Sequence, residues 1–187
     1  MARLNDFLTL TDFSAIIDYV TVHGKSVFYA KNDCLVRQGS VCRHVGIVKS
    51  GYFKFVAYNT KGQEVVTGFS FVGDLITDYT RSFLSGEPCL TTIVAGCDAE
   101  LMQVPINEAR DYILTNNPDS MAVTASGLLQ AAYGRYLDVL VKTPAERYNE
   151  LLARCPGAIG SLPIGELASF LRVSRRQLHR IREAEKN

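Results

Sequence analysis

Tryptophan is missing from the 187 residues, histidine occurs three times, and the five cysteines include no C-x-x-C pair. Each shortage argues against a class of function. His23, His44 and His179 lie far apart without H-x-H spacing, so the convergent histidines and carboxylate of a cupin-like metal enzyme are not expected. Cys34, Cys42, Cys89, Cys97 and Cys155 are odd in number and lack zinc-ligand spacing, which suits reduced thiols better than a disulfide framework. No uncharged apolar run reaches the ~18 residues of a membrane span, and Arg3 and Asp6 come too early for a signal peptide. The expected location is the cytoplasm, with no membrane contact. A Walker glycine loop, paired catalytic carboxylates and a G-x-S-x-G elbow are missing as well, so the chain reads as a non-enzyme without a metal or cofactor.

Excess charge is also lacking, since the net value is only +1. Its distribution is uneven. Residues 1–134 carry ten Lys and Arg against thirteen Asp and Glu, whereas residues 135–187 carry ten against six. Arg172, Arg175, Arg176, Arg180 and Arg182 fall within eleven positions that hold no acidic residue. A charge run is usually a solvated face, so the surrounding pattern must decide whether this one binds a polyanion.

Between Ser26 and Val104 short β-rich runs are punctuated by Gly39, Gly46, Gly51, Gly62, Gly68, Gly73, Gly86 and Gly96, the spacing of a sandwich or barrel. The runs Tyr52 to Tyr58 and Glu64 to Phe71, joined by Asn59-Thr60-Lys61-Gly62, predict a hairpin whose Gly62 takes positive φ. Ahead of them Phe7, Leu10, Phe13, Ile16, Ile17 and Val20 recur at helical spacing and predict a helix on the sheet edge. After Val104 the period changes. "INEARDYIL" predicts a short helix, and Asn117-Pro118 reads as the N-cap and first residue of a longer one running to about Lys142. Along it Met121, Ala125, Leu128, Ala132, Tyr136 and Val139 step by four and three residues, the seam of a two-helix interface. A helix packed on its own sheet is the competing reading, and Leu129, Leu137 and Leu140 widen the apolar surface enough for the helix to face both a partner and its own domain.

Thr143, Pro144 and Glu146 predict a capping box opening the next helix, which ends near Cys155. In "PIGELASFLRVSRRQLHRI" Ile164, Leu167, Phe170 and Leu171 share one face of a helix that stops near Arg172. Ser174 and Gln177 form an S-x-x-Q box starting a second helix. At about 100° per residue Leu178 and Ile181 point to the core, while Arg176 and Arg180 point away and Arg175 and His179 fill the shoulder between. Helix, tight turn and helix with an outward arginine face suit a major groove of double-stranded DNA, where Arg can pair with guanine and neighbouring groups hold phosphate.

The segments "CLVRQGSVCRHVGIVKSGYFKFVAYNTKGQEV", "FVGDLITDY" and "ELASFLRVSRRQLHRI", in that order around a long helix, resemble the Crp/Fnr superfamily of bacterial transcription factors (cAMP receptor protein and fumarate-nitrate regulator). The resemblance spans residues 5 to 183. It implies an α+β chain: a jelly-roll sensor domain of the cyclic-nucleotide-binding type over 1–115, a dimerisation helix over 116–142, and a helix-turn-helix domain over 143–187 without the β-wing of many relatives. It further implies a homodimer, duplex DNA, RNA polymerase and a small-molecule effector as partners. Ser174 would contact phosphate, and Arg175, Arg176 and Arg180, flanked by Gln177 and His179, would read bases. Arg176 stands where an acidic residue is common, so a different operator is expected.

The resemblance places the effector pocket around Gly73, Asp74, Thr77, Asp78, Arg81, Cys89, Leu90 and Thr91. The glycine, glutamate, arginine and small residue that hold a cyclic nucleotide correspond to Thr77, Asp78, Cys89 and Leu90. The phosphate-binding arginine is therefore missing, and a response to cAMP is not expected. Arg81 is the candidate substitute. An N-terminal cysteine cluster for iron and sulfur is missing too, leaving the effector unidentified. Two other readings stand beside this one: a jelly-roll interaction or ligand-sensing module that binds no DNA, and, further off, a cupin-like enzyme.

Overall fold

The computed structural model describes residues 11–184. Phe7 and Leu10 of the anticipated first helix lie outside that range. The rest of that helix is α1 (Ser14–His23), with Phe13, Ile16 and Val20 buried.

Eight strands follow: β1 (Lys25–Tyr29), β2 (Cys34–Val36), β3 (His44–Ser50), β4 (Tyr52–Tyr58), β5 (Glu64–Phe71), β6 (Leu75–Ile76), β7 (Thr92–Ala95) and β8 (Ala99–Pro105). They form two four-stranded antiparallel sheets, ordered β1-β8-β3-β6 and β2-β7-β4-β5. Phe53, Val48, Ile93 and Leu101 fill the space between them. This is the anticipated jelly roll, and the β4–β5 hairpin has the boundaries that the sequence suggests, with Gly62 at φ 72° in its turn. On the far side of the first sheet, Val45, Ile47 and Val104 pack against α1 and α2 (Ile106–Asn116).

β4 and β5 slip in register between Phe55 and Val56: Phe55 faces Gly68 and Val56 faces Val66, so Thr67 has no partner residue. The extra residue bends an edge strand and leaves backbone groups outside the ladder. Those groups are used by the helices described below.

α3 (Asp119–Val141) is the long helix. Its start differs from the expectation. Asn117 makes no side-chain cap; its backbone N–H closes α2 on the Ile113 carbonyl, and its side-chain amide donates to Asp12 at 3.4 Å. The competing partner is an acidic residue 105 positions away, which local spacing does not reveal.

α4 (Pro144–Arg154) begins with the anticipated capping box, the Thr143 hydroxyl accepting from the Glu146 N–H while the Glu146 carboxylate accepts from the Thr143 N–H at 2.7 Å. These hydrogen bonds hold the Glu146 carboxyl below its ordinary range. α5 (Pro156–Ser161) is an added short helix opened by proline. α6 (Ile164–Leu171) and α7 (Arg175–Ala184) follow. Among the described residues no helix is long and apolar enough to cross a membrane.

Candidate nucleic-acid interface and ligand pocket

α6 and α7 are joined by a three-residue turn in which Arg172 adopts the left-handed conformation, φ 60° and ψ 42°. The Ser174 hydroxyl accepts from the Gln177 N–H at 3.1 Å and the Gln177 side-chain carbonyl accepts from the Ser174 N–H at 3.4 Å, closing the S-x-x-Q box. Leu178 is fully buried and Ile181 packs on the same core, with Tyr148, Leu151, Leu167 and Leu171. That burial turns the opposite face of α7 to solvent: Ser174, Arg175, Arg176, Gln177, His179 and Arg180 are all exposed. Among the described residues, no carboxylate forms an ion pair with any of the five arginines of this segment.

The five differ in task. Arg176 and Arg180 face outward. Arg175 lies back along α6 beside Gly165. Arg182 stands 5.8 Å over the Tyr148 ring, a packing role that the sequence count of arginines hides. Arg172 occupies the turn. Arg147, on α4, donates to the carbonyls of Leu171 (3.0 Å) and Lys142 (2.6 Å), tying the end of α6 to the end of α3.

α3 has two apolar faces. Ser120, Thr124 and Gly127 are buried, and Met121 and Leu128 pack against the core of their own domain. Two members of the anticipated seam, Met121 and Leu128, therefore turn inward, and Ala125 is half-buried. Ala132, Tyr136 and Val139 are exposed. The exposed apolar line shares Tyr136 with the anticipated one and otherwise lies one residue further on: Leu129 (70% exposed), Tyr133 (60%), Tyr136 (59%) and Leu140 (61%), spaced by four, three and four. The hydroxyl of Thr124 explains the shift. It donates to the Asp12 carbonyl at 3.0 Å and accepts from the Asp12 N–H at 3.2 Å, which fixes that face of the helix on the jelly roll.

A cavity of about 310 Å³ opens between β5, the 75–80 segment and α3. That is near the lower end of the ~300–1,000 Å³ usual for small-molecule sites. Phe13, Phe55, Phe69, Leu75, Tyr79 and Leu128 form its apolar walls; Thr67, Ser70, Thr77, Thr80 and Thr91 supply hydroxyls, and Gly68 keeps one wall low. Asp78 and Arg135 are its charged residues. Burial pushes the Tyr79 phenol up to about 12, so it stays a neutral donor. Asp78 is partly occupied, its carboxylate accepting from the Arg81 and Ser82 N–H groups at 2.9 and 3.3 Å.

Of the anticipated pocket residues, Thr77, Asp78 and Thr91 line this cavity. Five others stand elsewhere for identifiable reasons. Gly73 makes a turn at φ 87°, and Asp74, buried, accepts from the Phe71 N–H at 2.9 Å. Arg81 pairs with Glu87 at 3.0 Å and the Pro88 carbonyl at 3.2 Å and does not line this cavity. Cys89 is buried in the sandwich core, where desolvation raises its thiol to about 11, and Leu90 is 64% exposed on the surface. Phe13, ahead of the strands, and Leu128 and Arg135, on α3 some sixty residues after β5, were not legible as pocket residues, because nothing local says that segments so far along the chain close the cavity.

Arg135 also belongs to a second contact. Its Nη2 donates to the Thr67 carbonyl at 2.9 Å, and its guanidinium lies 4.5 Å over the Phe170 ring of α6. The neighbouring Val66 N–H donates to the Ser169 hydroxyl at 2.9 Å. Both bonds are made at the β5 register slip.

The fold defines a class, a jelly roll joined through a long helix to a helix-turn-helix. Residues 26–116 match the family described as the cyclic nucleotide-binding domain, and the chain has the fold of the Crp/Fnr regulators. It is similar to FixK2 from Bradyrhizobium japonicum, with 16% identity, TM-score 0.70, and 86% of this chain and 83% of that one covered. It is also similar to the c-di-GMP responsive global regulator CLP of Xanthomonas campestris: 15% identity, TM-score 0.64, 94% and 92% covered. A CooA mutant from Carboxydothermus hydrogenoformans gives 18% identity, TM-score 0.63, and 98% and 84% covered. No curated protein matches the sequence.

Proposed function

We propose that this protein is a homodimeric, sequence-specific DNA-binding transcriptional regulator whose jelly roll senses a small molecule other than cAMP. The single observation carrying the DNA reading is the outward face of α7, where Arg176, His179 and Arg180 are exposed beside a capped N-terminus and, among the described residues, no acidic partner draws the arginines inward. A helix so exposed can lie in a major groove, with Arg176 and Arg180 able to pair with guanine edges and Ser174 close to phosphate. RNA polymerase is the partner that such a regulator addresses.

The exposed line Leu129-Tyr133-Tyr136-Leu140 favours pairing of α3 with its counterpart in a second copy, since a stripe at this spacing in water is stabilised by burial. Two recognition helices then act at one effective concentration. The pocket argues against a cyclic phosphate: the jelly roll contributes Asp78 and no cation to its lining, leaving Arg135 of α3 as the one positive group, and that guanidinium already serves Thr67 and Phe170. A mostly apolar ligand with a polar end suits the walls better.

Genome-wide mapping of bound DNA tests the reading. A two-fold symmetric motif is expected. Binding of random duplex at two salt concentrations is the companion measurement, since phosphate neutralisation predicts a steep loss with salt and an interaction module predicts none.

A further inference from the structure

The helix-turn-helix unit is seated on its own jelly roll. Tyr52, Lys54 and Val56 project from the outer face of β4, away from the sandwich interior, toward α6. The Glu166 carboxylate of α6 is the centre of that seat: Oε2 accepts from the Tyr52 hydroxyl at 2.9 Å and Oε1 from Lys54 Nζ at 3.0 Å. Lys54 is only 8% exposed, and its second partner is Glu64 of β5 at 2.8 Å. Phe170 packs at 5.3 Å on Phe69, and Ser169 takes the spare Val66 N–H. Gly96 leaves room for the Tyr52 ring, which a methyl group there would strike.

We propose that Glu166 is a positioning residue: its buried double contact with Tyr52 and Lys54 fixes the attitude of α6, and hence of α7, relative to the jelly roll and the long helix. The proposal deepens the DNA-binding reading and rests on it for the role of α7. Three features of the seat carry it. Lys54, its side chain 10% exposed, makes charge-assisted and therefore directional hydrogen bonds to two carboxylates, of which Glu166 is the more enclosed. The face of α7 opposite the seat is exposed while the seat is occupied, so the seated state can present that face to DNA. Orientation fixed before binding removes the entropy of ordering two reading units on one symmetric site, which raises affinity for that site and not for random duplex.

The seat is also continuous with the pocket. Thr67, Gly68, Phe69 and Ser70 of β5 line the cavity, and Thr67 and Phe69 touch Arg135 and Phe170. A ligand pressed against this strand bears on the seat of α6 directly.

The test compares wild type, Glu166→Ala, Glu166→Gln and Glu108→Ala. Hydrogen exchange at the Val66 amide reports seating, and affinities for the symmetric motif from the mapping experiment and for random duplex of equal length report DNA reading. Glu166→Ala is expected to speed Val66 exchange at least tenfold and lower motif affinity at least tenfold, with random-duplex affinity held within threefold. Loss of a carboxylate alone strengthens attraction to a polyanion, the opposite sign. Glu166→Gln, whose amide oxygen still accepts, recovers part of the motif affinity. Glu108→Ala, exposed on α2 and outside the seat, makes the same charge change within the jelly-roll unit and leaves the motif-to-random ratio unchanged. Should Glu166→Ala unfold, Tyr52→Phe removes one hydroxyl from the same carboxylate and shows a smaller change in the same direction. Unchanged Val66 exchange or an unchanged motif-to-random ratio overturns the proposal. A wild type that binds neither duplex overturns the function reading and the DNA half of this one, while the exchange measurement still decides whether Glu166 seats α6.

Discussion

The guanidinium of Arg175, the first residue of α7, lies against the backbone of Gly165 in α6, so close that a methyl group built on Gly165 would stand 2.7 Å from its Nη2. One arginine of the basic run is thus drawn back along the first helix while Arg176 and Arg180 point outward.

Gly165→Ala is expected to swing the Arg175 side chain into solvent. The guanidinium is the far end of a flexible chain, so the displacement is cheap, and alanine gains up to ~1 kcal/mol of helix propensity over glycine. Thermal unfolding should show equal or slightly higher stability. Random-duplex binding should strengthen, with a salt slope steeper by about one released counterion.

Arg172→Gly should stabilise the fold. A left-handed residue with a Cβ costs about 1–2 kcal/mol, and glycine relieves that cost at the expense of some unfolded-state entropy. A net gain of about 1 kcal/mol corresponds to a rise of roughly 2–4 °C in Tm for a chain of this size. An unchanged or lower Tm would show that the arginine side chain contributes contacts outweighing its backbone strain.

The two faces of α3 separate by mutation. Leu129→Glu combined with Tyr136→Glu places charges on the exposed line and should convert a dimer to monomers in sedimentation equilibrium, leaving each jelly roll folded. Leu128→Ala, on the inward face, should instead lower stability by about 2 kcal/mol and leave the oligomeric state unchanged. Equal effects on association would place the seam on the inward face.

Alkali should loosen the seat of α6. Burial first, then the hydrogen bond to Glu166, raises the Tyr52 phenol above its ordinary value. For Lys54 burial works downward, but the hydrogen bonds to Glu64 and Glu166 outweigh it and the ammonium is raised. A group raised on folding contributes stability that is whole below its unfolded value and is lost as pH climbs through its folded one. The contribution of the seat is therefore expected to be flat up to about pH 9 and to fall from about pH 10 upward, where free tyrosine and lysine begin to titrate. Tyr52→Phe should flatten the first part of that fall in pH-dependent unfolding curves.

Thiol labelling should be graded. Cys34 and Cys97 are half-buried, whereas Cys42, Cys89 and Cys155 are buried. With its thiol raised to about 11, Cys89 is almost wholly protonated at neutral pH. Iodoacetamide followed by mass spectrometry is expected to modify Cys34 and Cys97 in the folded protein and the other three only after denaturation.

Local chemistry made much of this fold readable. The Thr143 and Ser174 boxes, the β4–β5 hairpin and the outward face of α7 each depend on residues within a few positions of one another, and each stands where its spacing puts it. What spacing could not carry was the packing of distant segments. Asn117 reads as a cap because Pro118 follows it, but Asp12 competes for its side chain. Met121 and Leu128 read as partner-facing because their steps fit a seam, but the Thr124 hydroxyl, bound to the Asp12 backbone, rotates the helix toward its own domain. Arg81 reads as near the pocket in sequence and is near it in space, yet Glu87 holds it elsewhere. A signal for the α6 seat does exist. "YFKFVAY" is apolar on both faces of β4, the pattern of a strand covered on both sides, and Lys54 is the one charge in it.

The register slip at Thr67 has a consequence for how such proteins can be recombined. It offers one donor and one acceptor that only Ser169 and Arg135 fill. A reading head grafted from another regulator would arrive without that serine, leaving a strand edge open to unrelated chains, so hybrids joined after the long helix should precipitate unless the three side chains at 166, 169 and 170 travel with the sensor.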